Sequence, residues 1–256
     1  MTKPTMERRT RKLVLGLALV LACLVTAAAQ QSARSQGLVG TTWQWDFYAD
    51  SHRATRLLTP NQTVTFNADG SFNARADCNS VRGEYNAGST AILILPGPST
   101  LVACAPGSAG GDFIRLLGAV MSYSFSPSGD LILDVPEVGG SLTLRALREL
   151  TGTINYLPRI ALPADATVTV TLQDVSLADA PAVVIGEQVF VTRGAQVPLP
   201  FTISYAVNAI EPSGLYSVRA RINDAEGRLL FVTDTLVPVL SRGNALDGVE
   251  VMVVQP

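Results

Sequence analysis

The chain has 256 residues, 47% hydrophobic, 16% charged and 6% aromatic, with 21 Gly and 15 Pro. This is a globular composition with few charges, and the net charge of -2 lacks the basic surplus an electrostatic nucleic-acid binder needs. Both lysines, Lys3 and Lys12, lie at the N-terminus and the single histidine is His52. A product that loses its N-terminus therefore has no Schiff-base or Ser–Lys chemistry and no zinc site built on two imidazoles.

Residues 1–29 have the three parts of a secretory signal. Lys3, Arg8, Arg9, Arg11 and Lys12 make a basic start, Leu13 to Val25 is an apolar run, and Ala27-Ala28-Ala29 offers a small-x-small cut after Ala29. The apolar run is shorter than the roughly 20 residues a membrane helix needs. A second cut is open, because Val20-Leu21-Ala22-Cys23 resembles the lipobox at which bacterial lipoproteins are cleaved before an acylated cysteine. Cys23 is thus either a lipid attachment point or one more apolar residue of the signal. Loss of residues 1–29 moves the net charge from -2 to about -6, which favours solubility and disfavours anionic lipid surfaces and nucleic acid.

Residues 30–37 read as a polar tether, and from Leu38 short β-like runs alternate with Gly, Pro, Asn and Asp. Trp43, Trp45 and Phe47 alternate with polar partners, which predicts that all three face the core and leaves Tyr48 on the opposite face. Thr63–Phe66 and Ser71–Ala76 flank Asn67-Ala68-Asp69-Gly70, a hairpin turn. Further strands are expected at 81–85, 91–95, 122–125, 130–133 and 141–144. Gly111–Met121 is the one helical stretch, with Phe113, Leu116, Leu117 and Val120 at i, i+3, i+4, i+7.

A charge cluster around Arg145, Arg148 and Glu149 marks a domain boundary within 146–151. Beyond it, runs at 151–156, 167–174, 183–192, 199–206, 216–223, 228–237 and 248–254 give about seven strands. Thr167 to Leu172 alternates strictly, as a half-buried antiparallel strand does. This number of short strands suits a β-sandwich.

Leu38-Val39-Gly40-Thr41-Thr42-Trp43, the Asp69-Gly70 turn, Asp77-Cys78-Asn79, Gly83-Glu84-Tyr85 and Ser99-Thr100-Leu101-Val102-Ala103-Cys104 resemble the META domain family of HslJ-like, heat-shock-linked proteins. One departure stands out: the family pattern has Gly before the first cysteine, where this chain has Asp77. Aspartate tolerates left-handed backbone better than most residues, so the turn can be kept. In the second half, Arg159-Ile160-Ala161-Leu162-Pro163, Leu172-Gln173-Asp174-Val175-Ser176, Val197-Pro198-Leu199-Pro200-Phe201, Tyr216 to Ile222 and Phe231 to Thr235 resemble the YbaY/YscW-like lipoprotein chaperones, or pilotins, of type III secretion. These resemblances imply a mainly β chain: an antiparallel sheet wrapped around one helix over 38–147, then a seven-stranded β-sandwich over 150–256. The first implies a stress-protective role, and the second implies an envelope protein.

Cys78 and Cys104 remain after the first cut, and an even pair in an oxidising compartment closes a disulfide. Buried free thiols and a redox pair are the alternatives, although no C-x-x-C motif is present. His52 lies in a polar stretch, and no nucleophile elbow accompanies it. Asp69, Asp130, Asp165, Asp224 and Asp247 sit in turns, while Asp174 and Asp179 flank a loop. A glycosidase needs only two carboxylates a few ångströms apart, about 5–10 Å, so that reading stays open. No cofactor or metal motif is found. The reading is a non-catalytic, exported binding or chaperone-like protein that holds an envelope or outer-membrane polypeptide by sheet edges or loop ends. It has no nucleic-acid partner and touches membrane only through Cys23. The alternatives are a carboxylate hydrolase acting on cell-wall glycans and a lipid-anchored structural module.

Overall fold

The computed structural model describes residues 37–52, 54–57 and 61–256. The export signal with Cys23 and Ala29, and tether residues 30–36, lie outside the described residues. The described chain is mainly β and forms two compact units, the first running to Ser126 and over Asp130–Leu144, the second comprising Pro127–Gly129 and Arg145–Pro256.

In the first unit, strands β1 (Thr42–Ala49), β2 (Ala54–Arg56), β3 (Gln62–Phe66), β4 (Ser71–Ala76), β5 (Asn79–Ala87), β6 (Ile92–Ser99), β7 (Ser122–Phe125), β8 (Leu131–Val135) and the start of β9 (Gly140–Asn155) share one sheet. Its order is β6-β5-β4-β3-β1-β9-β8-β7, with β2 on β1. The turn between β3 and β4 has Gly70 at φ 83°, and Asn67 N–H donates to Ser71 O at 2.8 Å, closing the expected hairpin. An Ala91–Ser122 bridge joins the two ends of the sheet, with Tyr123 N–H donating to Thr90 O at 2.7 Å, so the sheet is nearly closed. Helix α1 (Gly110–Gly118) turns Phe113, Leu116 and Leu117 inward, each contributing about 1.5–3 kcal/mol by burial, and Phe113 stacks on Trp45. The helix ends before Met121 because Ala119 N–H turns back to Leu116 O at 3.0 Å, a tightened last turn. Val120 is buried nonetheless, which keeps the whole apolar stripe inside.

Strand β1 departs from simple alternation. Trp43 and Trp45 are buried as expected, but Asp46 follows them inward, Phe47 is half-buried and Tyr48 is buried. The cause is a change of partner: Thr42–Gln44 pair with β3, whereas Phe47–Ala49 pair with β2. The side-chain sequence slips by one position between the two ladders. The buried Asp46 is paired with Arg56 of β2, Arg56 Nη1 donating to Asp46 Oδ1 at 2.9 Å.

In the second unit, β9 from Leu147 onward pairs antiparallel with β12 (Leu199–Ala206) and parallel with β16 (Val249–Met252). A second sheet has the order β11 (Val183–Val191), β10 (Thr167–Asp174), β13 (Tyr216–Asn223), β14 (Leu229–Val232), with β15 (Pro238–Val239) on β13. Leu150, Ile154, Phe201, Ile203 and Val251 of one sheet share a core with Val168, Val170, Leu172, Val218, Ala220 and Ile222 of the other. Both seams between the sheets are bridged. Val232 and Val254 exchange two backbone hydrogen bonds of 2.8 and 2.9 Å, and Thr202 N–H donates to Gln188 Oε1 at 2.7 Å. Sheet edges are therefore less open to an added strand than the sequence implies. The run expected as one strand over 228–237 is interrupted: Thr233 Oγ1 accepts Ala220 N–H at 2.8 Å in place of a backbone carbonyl, and backbone bonding to β13 is taken up again where Val218 N–H donates to Val237 O at 3.1 Å, leading into β15.

Candidate functional site

The Asp77-Cys78-Asn79 turn between β4 and β5 grips the segment that leads into α1, and each residue does so differently. Asp77 adopts φ 56°, the left-handed conformation that a glycine would take at no cost. Its Oδ1 accepts from Gln62 Nε2 at 2.6 Å, and its Oδ2 accepts from the Ser108 hydroxyl and from Gly110 N–H at 2.9 Å. A carboxylate thus caps the start of α1, where free N–H groups and the helix dipole favour negative charge. Cys78 is disulfide-bonded to Cys104, with Cα atoms 5.6 Å apart. Asn79 reads the loop backbone in both directions, Nδ2 donating to Val102 O at 2.9 Å and Oδ1 accepting Val102 N–H at 2.8 Å. The Thr100 hydroxyl also donates to Asn79 Oδ1, at 2.9 Å. The loop held in this way exposes Leu101 almost completely, at 95%.

Beside the turn lies a cleft of about 610 Å³ bordered by Arg56, Gln62, Arg75, Asp77, Ser108 and the disulfide. Arg75 Nε donates to the Asp77 carbonyl at 3.0 Å, so it braces the turn from the cleft side. Asp77 is the one carboxylate among the described residues lining this cleft, and both its oxygens are engaged. Among the described residues no three His, Cys, Asp or Glu side chains come together as a metal-holding group.

The other singled-out residues disperse. His52 is exposed, its N–H donating to Asp50 Oδ1 at 2.7 Å. Asp69 Oδ1 accepts from both the hydroxyl and the N–H of Ser71, at 2.6 and 3.0 Å, and these bonds hold its carboxyl below the usual range. Asp174 Oδ1 likewise accepts the hydroxyl and the N–H of Ser176, at 2.6 and 2.9 Å. Burial pushes the Asp224 carboxyl up, but the N–H and guanidinium of Arg228, at 2.8 and 2.7 Å, outweigh it and hold the group low. Turn chemistry was legible at all of these. The parts played by Gln62, Asn79 and Ser108 were not, since their partners lie between 15 and 31 residues away.

The two units correspond to two families. Residues 36–147 match the META domain, and residues 145–252 match YscW, described as a type III secretion system lipoprotein chaperone. The uncharacterized lipoprotein YbaY of Escherichia coli K12 is 32% identical over 157 residues, covering 60% of this chain and 73% of that protein. The chain belongs to the YbaY family. In this member a META domain precedes the YscW-like domain. Among solved structures it is similar to an alternative pilotin from the type II secretion system of Vibrio cholerae, 46% identical over 43% of this chain and 99% of that one, with a TM-score of 0.40. It is also similar to a DUF4847 family protein from Bacteroides vulgatus, 18% identical over 42% of this chain and 92% of that one, with a TM-score of 0.34.

Proposed function

We propose that the chain is an exported, lipid-anchored accessory protein of the bacterial envelope that holds an envelope polypeptide and does no catalysis. The observation that carries this reading is the match of residues 145–252 to a family of secretion lipoprotein chaperones. The YbaY relative is itself described as a lipoprotein, which favours cleavage before Cys23 over the cut after Ala29. The carboxylates point the same way. A glycan hydrolase needs two acids facing one another in one cleft, whereas Asp69, Asp174 and Asp224 are each committed to a local hydrogen-bond task and Asp77 to holding the start of α1. The META unit then serves as a disulfide-braced module ahead of the binding unit, matching the stress-linked role its family implies.

The test is a holding assay with a hydrolysis control. Urea-denatured outer-membrane proteins are diluted into buffer with one equivalent of the full chain, and light scattering is followed. The proposal predicts suppressed scattering, and no release of reducing ends from purified peptidoglycan. Unchanged scattering refutes the holding role. Reducing ends that disappear on changing an acid to its amide replace it with the hydrolase.

A further inference from the structure

The cleft beside the Asp77 turn borders a buried acceptor that the chain leaves without a donor. Gln62 lines this cleft and is 1% exposed. Asp77 fixes its orientation: a carboxylate can only accept, so the Gln62 amide turns Nε2 toward Asp77 Oδ1, at 2.6 Å. Gln62 Oε1 is then left with no hydrogen-bond partner among the described residues. Turning the amide over gains nothing, because Oε1 would meet the carboxylate and Nε2 would become the unpaired atom. Buried polar atoms are nearly always paired and an unpaired one is costly, so Oε1 calls for a donor from outside the chain.

The rest of the cleft says what else the donor's molecule carries. Arg75 is exposed at the rim and uses only Nε, on the Asp77 carbonyl at 3.0 Å; its two terminal nitrogens have no partner among the described residues. Arg56, by contrast, is neutralised by Asp46, its Nη1 lying 2.9 and 2.8 Å from the two carboxylate oxygens. The Asp77 charge is directed at the Ser108 hydroxyl and at Gly110 N–H, where α1 starts. Arg75 is therefore the cation left for a ligand. Leu57, Pro106 and the Cys78–Cys104 bridge add apolar border. The volume of about 610 Å³ falls within the range of small-ligand sites, roughly 300–1,000 Å³.

We infer that this cleft binds the carboxyl-terminal residue of a peptide, its carboxylate on Arg75 and its amide N–H on Gln62 Oε1. Gln62 and Arg75 are both tied to Asp77, so the unpaired acceptor and the free guanidinium lie within reach of one small ligand. That ligand must present a negative acceptor and a neutral donor close together. A peptide's last residue does so, because a single Cα separates its amide nitrogen from its carboxylate. The planar guanidinium takes both carboxylate oxygens at once. A free amino acid is matched poorly, since its ammonium needs several acceptors and the cleft's one carboxylate has both oxygens engaged. The last side chain lies against Leu57 and Pro106, which favours an aliphatic one. The site belongs wholly to the first unit and does not depend on the holding role proposed for the second.

The probe is N-acetyl-alanyl-leucine, titrated into the isotope-labelled full chain while NMR follows the Gln62 side-chain amide. The expected result is a saturable shift of that resonance, with a dissociation constant on the order of 0.1–1 mM for so small a ligand. Two analogues test the two contacts without altering the protein. The C-terminal amide removes the charge, and the ester that replaces the leucine N–H by oxygen removes the donor. Each binds at least tenfold more weakly, as does free leucine. Arg75→Gln weakens the parent peptide to the same extent and no longer distinguishes it from its C-terminal amide, because that contact is already gone. The same two residues at the end of a folded carrier protein separate the sources: equal binding assigns a polypeptide terminus, and binding of the free dipeptide alone assigns a short peptide. The inference is overturned by no saturable shift, by shifts confined to residues outside the cleft, by an ester or C-terminal amide that binds as well as the parent, or by undiminished binding to Arg75→Gln. None of these results bears on the scattering assay, so this site and the holding role fail separately.

Discussion

Replacing Asp77 tests whether the turn before Cys78 is a structural grip. Three effects act together in Asp77→Ala. The carboxamide of Gln62, 1% exposed, loses the acceptor for its Nε2 group, and a buried donor left unpaired costs about 1–3 kcal/mol. Gly110 N–H at the start of α1 loses its anionic cap, worth about 0.3–1 kcal/mol. Alanine must also take φ 56°, which costs about 1 kcal/mol more than for aspartate. The expected loss is about 3 kcal/mol, or roughly 10–20 °C in the melting temperature of a unit this size. Both tryptophans, Trp43 and Trp45, belong to the first unit, so tryptophan fluorescence during thermal unfolding reports that unit selectively. Asp77→Gly separates the terms, because it restores backbone freedom without restoring the bonds, and it falls between wild type and Asp77→Ala. If Asp77→Ala melts within 2 °C of wild type, the grip contributes nothing. If the glycine variant melts with the alanine variant, the backbone argument is wrong.

Reducing the Cys78–Cys104 bridge, which closes a sequence separation of 26, removes about 3.5 kcal/mol in the chain-entropy picture, and denaturant titration with and without reductant reads it directly. At Gly152 an added Cβ would lie 2.2 Å from Val249 O and 2.5 Å from Phe201 Cζ, so Gly152→Ala must push β16 off β9. It should cost at least about 1–3 kcal/mol in urea unfolding, and a neutral result would contradict the parallel pairing. Burial raises the phenols of Tyr85, Tyr156 and Tyr205 above their ordinary pKa of 10.0. The folded state keeps these protons where the unfolded chain has lost them, so stability is full below pH 10 and falls above it. Absorbance at 295 nm should show late-ionising tyrosines that become normal in urea. Asp224 shifts the opposite way, its stabilisation being present above the ordinary aspartate range and lost as pH falls below 3.8. Arg228→Gln should move the acid unfolding midpoint to higher pH, and an unchanged midpoint would show that the pair is inert.

What was legible in the chain was what is local. The hairpin at Asn67–Gly70, the apolar stripe of α1 and the alternation of β10 all depend on neighbours within a few residues, and each appears where the spacing places it. The slip in β1 was hidden because nothing in Trp43 to Tyr48 states that two different strands will pair with its two ends. The interruption after Val232 was hidden for a related reason: Thr233 reads as a good strand residue until its hydroxyl replaces a carbonyl in the ladder. At the turn, the cysteines announced themselves by compartment and count, but Asn79 and Ser108 could be assigned only once distant segments met.

The account's central claim is an exported, lipid-anchored binding protein, and the intact mass of the protein purified from its native envelope tests it most directly. The account predicts a chain beginning at an acylated Cys23, gaining the mass of two hydrogen atoms from the added reductant as the Cys78–Cys104 bridge opens. A mass beginning at Gln30 without lipid would contradict the anchor, and one that retains Met1 would contradict export itself.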